Sequence, residues 1–144
     1  MADGIQLTER VESALCETTN GIAAFLAVAA GATAGGIVIG TAAKGNVGVT
    51  TEAVTATNAP VNIQSRGIAK VRAAGVIPRL TSNSRTQVVA AASGLVQTLP
   101  GTPGTYYRVG WMHHTSAPAA TSGDIVSVEL DPGVVVVPTS GYVE

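Results

Sequence analysis

His113 and His114 are the only histidines in the 144-residue chain. Imidazole is the side chain best suited to acid–base and metal chemistry near neutral pH. If the strand-like run from Thr105 continues through them, the two neighbours point to opposite faces and cannot grip one ion from one side. No Cys, Asp or Glu lies within ten residues of the pair before Asp124, so local ligands are missing. Five of the nine carboxylates fall near the ends of the chain (Asp3, Glu9, Glu12, Glu17 and Glu144), and no spacing suggests the rigid cleft that paired acids need. Ser93-Gly94 lacks the leading glycine of a nucleophile elbow, and Ser122-Gly123-Asp124 reads as a turn into a strand. Gly31-Ala32-Thr33-Ala34-Gly35-Gly36 and Lys44-Gly45-Asn46 have neither the order nor the context of a phosphate loop. The expectation is a protein with no enzyme activity, no cofactor and no bound metal.

Composition points to association instead. Hydrophobic residues make up 46% of the chain, but aromatics only 3% and charged residues 12%, about half the charge of an ordinary soluble domain. So little polarity implies that another protein covers part of the surface. The net charge is −1 and the basic residues are dispersed, with only the stretch 66–72 dense in cations. That argues against nucleic acid, which needs a continuous basic face. Cys16 is the single cysteine; it cannot form an internal disulfide and suits synthesis in a reducing cytoplasm. No charged residue lies between Glu17 and Lys44, long enough for a membrane span. The gap is nevertheless broken by five glycines and several threonines and has no basic flank. The chain opens Met-Ala-Asp-Gly, with its first basic residue at Arg10, unlike a secretory signal. No membrane partner is expected.

The elements that would carry any site are short β-prone runs separated by Gly, Pro, Asn and Ser. Strands are expected at residues 22–28, 36–39, 47–50, 61–64, 67–72, 86–89, 95–98, 105–112, 124–130 and 133–137. Lys44-Gly45-Asn46, Asn58-Ala59-Pro60 and Asp131-Pro132-Gly133 are among the breakers between them. Val126, Val128 and Leu130 alternate with Ile125, Ser127 and Glu129, and Tyr107, Val109 and Trp111 with Tyr106, Arg108 and Met112, the signature of half-buried strands. The first twenty residues fit a helical face or a strand face equally well. No repeat of fixed period is evident. The expected fold is all-β: a single-domain sandwich or jelly-roll-like barrel of short antiparallel strands with an N-terminal arm. Residues 1–20 form that arm or a first strand, 21–131 the β domain, and 132–144 a C-terminal tail.

Two stretches suggest partner binding. Val134, Val135, Val136 and Val137 put β-branched side chains on both faces of one strand, which must be central or must meet a partner on its outer face. Arg66, Lys70 and Arg72 share one side of a regular strand and offer a cationic strip, either for an acidic partner surface or as a solvated edge. Tyr106, Tyr107 and Trp111 are the one aromatic grouping available to a carbohydrate- or cell-surface-binding module.

The segment from Gly31 through Gly36-Ile37-Val38-Ile39-Gly40, followed by Lys44-Gly45-Asn46-Val47-Gly48-Val49-Thr50, resembles the opening of tailed-bacteriophage capsid decoration, or cement, proteins. The run from Val61 to Val71 with Gly75-Val76-Ile77-Pro78 is similar to an internal module of that family. Val109-Gly110-Trp111 and Gly123-Asp124-Ile125-Val126-Ser127-Val128-Glu129-Leu130 are similar to its closing strand pair. The resemblance implies a structural protein made in the host bacterial cytoplasm and bound to the outer capsid surface of the virion. There it would bridge neighbouring copies of the phage major capsid protein, as a homotrimer first and a dimer second. It supplies no catalytic residues.

Overall fold

In the computed structural model, residues 10–78 and 85–139 are described. The chain is all-β, as its pattern of short β-branched runs dictates. Strands β1 (Arg10–Cys16), β2 (Ala27–Ala30), β3 (Gly36–Ile39), β4 (Gly48–Thr50) and β5 (Pro60–Arg66) close into a barrel in the order β1-β3-β2-β4-β5. Strands β6 (Ile68–Arg72), β7 (Gln87–Ala90), β8 (Val96–Thr98), β9 (Gly104–Met112) and β10 (Ile125–Val137) form a curled sheet in the order β6-β10-β9-β7-β8, with one 3-10 turn at Ala92–Gly94.

Most expected strands coincide with observed ones to within two residues. Three places differ. The run expected at 22–28 is cut short because Phe25 takes a left-handed φ of 65°, so Ile22 makes only a lone bridge to Val54 and the strand starts at Ala27. Of the two readings of the first segment, residues 10–16 take the strand. β1 runs antiparallel to β5 and parallel to β3, with Cys16 fully buried, while residues 1–9 lie outside the described part. The runs at 124–130 and 133–137 fuse into β10, because Asp131-Pro132 is accommodated as a bulge where the register shifts between Leu130 and Gly133. A bulge leaves a residue unpaired, so the missing N–H of Pro132 costs no ladder bond.

The two halves repeat one connectivity. Ala73, just past β6, bridges Val96 in parallel, as Cys16 of β1 pairs with Ile37 of β3. Each half therefore joins its first strand to its third and fifth, its second to its third and fourth, and its fourth to its fifth. The registers superpose: Ala14 opposite Val61 corresponds to Val71 opposite Val126, Val28 opposite Gly48 to Val88 opposite Gly110, and Thr50 opposite Ile63 to Met112 opposite Val128. Even the lone bridges match, Ile22 to Val54 and Ile77 to Ala119. So do the turn bonds Asn58 N–H to Cys16 O (2.6 Å) and Gly123 N–H to Ala73 O (2.8 Å), where both donors hold a positive φ. The spacing between equivalent residues drifts from 55, for Ile22 and Ile77, to 65, for Val61 and Val126, which is why no fixed period is legible.

Each unit has its own core. Cys16, Ile22, Val28, Ile37, Val61 and Ile63 fill the first barrel, and Val71, Ile77, Val88, Val96, Met112 and Val126 lie inside the second sheet. Ala27 and Val49, on the outer face of the first barrel, join the second cluster, so the units are fused into one domain. Arg72 N–H donates to Phe25 O (2.9 Å) and Gly94 N–H to Gly40 O (2.9 Å) across this joint.

Candidate functional site

Beyond Leu130 the second unit grows a ribbon that the first lacks. Gly133 to Val137 pair with Arg108 to Gly104, while the pairing of β10 with β6 ends at Glu129 and Ile68, followed by one bond from Leu130 N–H to Gly67 O (2.9 Å). Among the described residues, the β10 edge from Gly133 onward therefore has a strand on one side only, whereas its first half is central. The run Val134–Val137 lies wholly in the half of β10 that pairs with β9 and not in the central half flanked by β6 and β9. Val134 and Val136 stand on one face, 62% and 60% exposed; Val135 is half-buried and Val137 buried on the other. Gly133 to Val137 carry no charged side chain of their own, and the Arg108 guanidinium lies against Gly133 at the start of this edge. An uncharged β-branched edge is a template for another chain.

The cationic strip is divided. Gly67, at φ 91°, turns the chain between β5 and β6, so Arg66 sits on a different strand from Lys70 and Arg72. Arg72 is half-buried, and its Nε donates to Ala24 O (2.9 Å), holding the joint between the units. Arg66 and Lys70 are exposed.

The three aromatics also separate. Tyr107 packs inward against the second core and Tyr106 donates to Thr102 O (2.7 Å). Trp111 stands on the outer face at the centre of a polar cluster that sequence reasoning did not assemble. Arg85 and Arg108 place their guanidinium carbons 5.1 and 5.3 Å from the indole centroid. Trp111 Nε1 donates to Asp131 Oδ2 (3.0 Å) and Arg85 to Glu129 (2.9 Å). Arg108 reaches Asp131 O and Gln87 Oε1 (2.9 and 3.2 Å). Exposed ion pairs of this kind add at most about 1 kcal/mol each; their effect is to order the arginines over the ring. The available signal was alternation on neighbouring strands, which sets Trp111 opposite both Glu129 and Gln87.

The histidine rings do not point apart. The strand ends at Met112, and the turn after it brings the ring centroids to 4.2 Å, with His113 Nδ1 2.7 Å from Thr115 Oγ1. Among the described residues no group of three His, Cys, Asp or Glu is placed to hold a metal, and no helix is long and apolar enough to cross a membrane. Two carboxylates clasp loops. Glu17 accepts from Thr33 Oγ1 and from the amides of Ala32 and Thr33 (2.5, 2.7 and 3.0 Å), and these bonds, the hydroxyl foremost, hold its pKa below the ordinary value against desolvation. Asp124 accepts from the amides of Ala120 and Thr121 (2.8 and 3.1 Å), which lower its pKa likewise.

No family model matches the chain, and no curated protein matches it. Among solved structures it is similar in fold to the head fiber gp8.5 N base of bacteriophage phi29, with a TM-score of 0.59 at 13% identity, covering 86% of this chain and 95% of that one.

Proposed function

We propose that this chain is a non-enzymatic structural component of a tailed-phage head, bound to the outer capsid surface and bridging neighbouring major capsid protein subunits. The observation that carries the reading is the fold shared with a head fiber base along nearly the whole length of both chains. The low charge of the chain and the uncharged β10 edge support it. An icosahedral shell offers the same contact at every local symmetry axis, so an oligomer of matching symmetry, a trimer first, multiplies a weak contact into slow release. Val134 and Val136 are the residues assigned to the shell contact, with Arg66 and Lys70 as a cationic margin.

The experiment is co-sedimentation of purified protein with expanded, undecorated shells. The wild type is expected to pellet with the shells in fixed stoichiometry. Val134→Lys with Val136→Lys is expected to weaken binding at least tenfold with the fold retained, since both side chains already face solvent. Wild-type protein left in the supernatant at saturating concentration would refute the proposal. A glycan-binding reading has less support, because the aromatic rings are dispersed and Trp111 is already flanked by two guanidinium groups.

A further inference from the structure

The repeated connectivity assigns the residues of the matching strands in one unit their counterparts in the other. On the first barrel the joint is made by Phe25, Ala27, Val49 and Gln64, whose Nε2 donates to Ile68 O (3.0 Å). The strand registers carry these four onto Arg85, Gln87, Trp111 and Glu129 of the second unit, the open cluster around the indole. On the second unit the joint is made by β6, where Ile68 O accepts from Gln64, Arg72 N–H donates to Phe25 O and the Arg72 side chain donates to Ala24 O. The counterparts of Ile68 and Arg72 are Val11 and Leu15 of β1, large apolar side chains 54% and 44% exposed. The positions that make the internal joint thus recur elsewhere on the molecule, as a half-buried polar cluster around Trp111 and as the outer side chains of β1, whose backbone edge is closed by β3.

We infer that the Trp111 face of one copy receives the Val11–Leu15 face of the next, so that the chain self-associates head to tail. Three observations converge. The equivalent faces already meet inside the chain. Trp, Arg and Tyr are the residues that dominate protein–protein contacts, and here the arginines are held in place by Glu129, Asp131 and Gln87. The opposite face exposes two large apolar side chains, Val11 and Leu15, with Ser13 between them. One feature differs between the two joints: Leu15 N–H is already bonded to Gly35 O (2.9 Å), whereas Arg72 N–H bonds across to Phe25. The contact between copies is therefore made by side chains alone and is weaker than the internal one. A head-to-tail contact uses two different patches and closes into a ring when its rotation permits. The inference deepens the self-association part of the proposed function and needs no shell.

The test is light scattering and sedimentation of the whole chain without shells. Wild type is expected to form a discrete oligomer that dissociates on dilution. Val11→Glu with Leu15→Lys, and separately Trp111→Ala, are each expected to run at the 14.3 kDa chain mass with unchanged circular dichroism. Mixed together, the two variants still own one intact face each and are expected to form a one-to-one dimer. Gln87→Lys, which leaves the indole in place, stands in if Trp111→Ala misfolds. A wild type that stays monomeric at every concentration overturns the inference, as do variants that keep the wild-type mass. A mixture that remains monomeric overturns it as well, since a symmetric contact cannot be complemented in this way.

Discussion

The two β units share their strand connectivity and registers, yet they treat the same outer face in opposite ways. In the first barrel the face is small and apolar, Ala27 and Val49, and the neighbouring unit covers it. In the second the corresponding positions are Gln87 and Trp111, surrounded by arginines and carboxylates. The first unit closes its seam between β1 and β3 with its own backbone, whereas the second leaves a single bridge at Ala73 and lets Phe25 of the first unit take the amide of Arg72. Repetition of a backbone plan thus constrains interior positions, where Val28 and Val88 or Ile22 and Ile77 are identical, and leaves the exterior free to specialise.

The largest expected effect is at a glycine pair. A Cβ on Gly110 would run into the backbone carbonyl of Glu129, and one on Gly48 would sit 2.9 Å from the carbonyl of Gln64, its counterpart. Gly110→Ala is expected to cost about 3 kcal/mol or more and Gly48→Ala about 1–3 kcal/mol, read from denaturant unfolding. Equal costs would mean that the fourth and fifth strands do not approach more closely in the second unit.

Next come the paired isoleucines. Ile22→Ala and Ile77→Ala each remove a fully buried side chain, with an expected cost of about 2–5 kcal/mol. Because Ala27 and Val49 tie the cores together, each substitution is expected to shift one common calorimetric transition. Two separate transitions, only one of which moves in each variant, would show that the units unfold independently.

The smallest effect concerns the loop clasps, which occupy different places in the two units. Glu17 corresponds to Ala74 and Asp124 to Ala59. A carboxylate whose pKa is lowered by folding stabilises the fold above its unfolded pKa, and that contribution disappears as pH falls through the lower folded value. Both acids therefore lend stability at neutral pH that is lost on acidification below about pH 4. Glu17→Gln and Asp124→Asn are expected to lower the melting temperature modestly at pH 7 and to match the wild type at pH 2. A difference that persists at pH 2 would assign the effect to packing.

Much of the fold was legible because alternation of Val, Ile and Ala with polar residues sets strands whatever their neighbours. The Asp131-Pro132 bulge was not, since the same residues close turns elsewhere and only the continuous partner β9 lets β10 run on. The repeat escaped detection because loops of different length separate matching strands and few matching residues are identical. The valine edge was visible as four β-branched residues in a row. The Trp111 cluster was not, because Arg85, Gln87, Arg108, Glu129 and Asp131 come together only through cross-strand register.

The central claim, that this chain acts by covering its open faces with other proteins, is tested most directly by electron cryo-microscopy of expanded shells saturated with the purified protein. The account predicts ordered extra density on the shell exterior at a fixed stoichiometry, with the Val134–Val136 edge against capsid protein and Trp111 against an adjacent copy. Bare shells beside free monomer would contradict it.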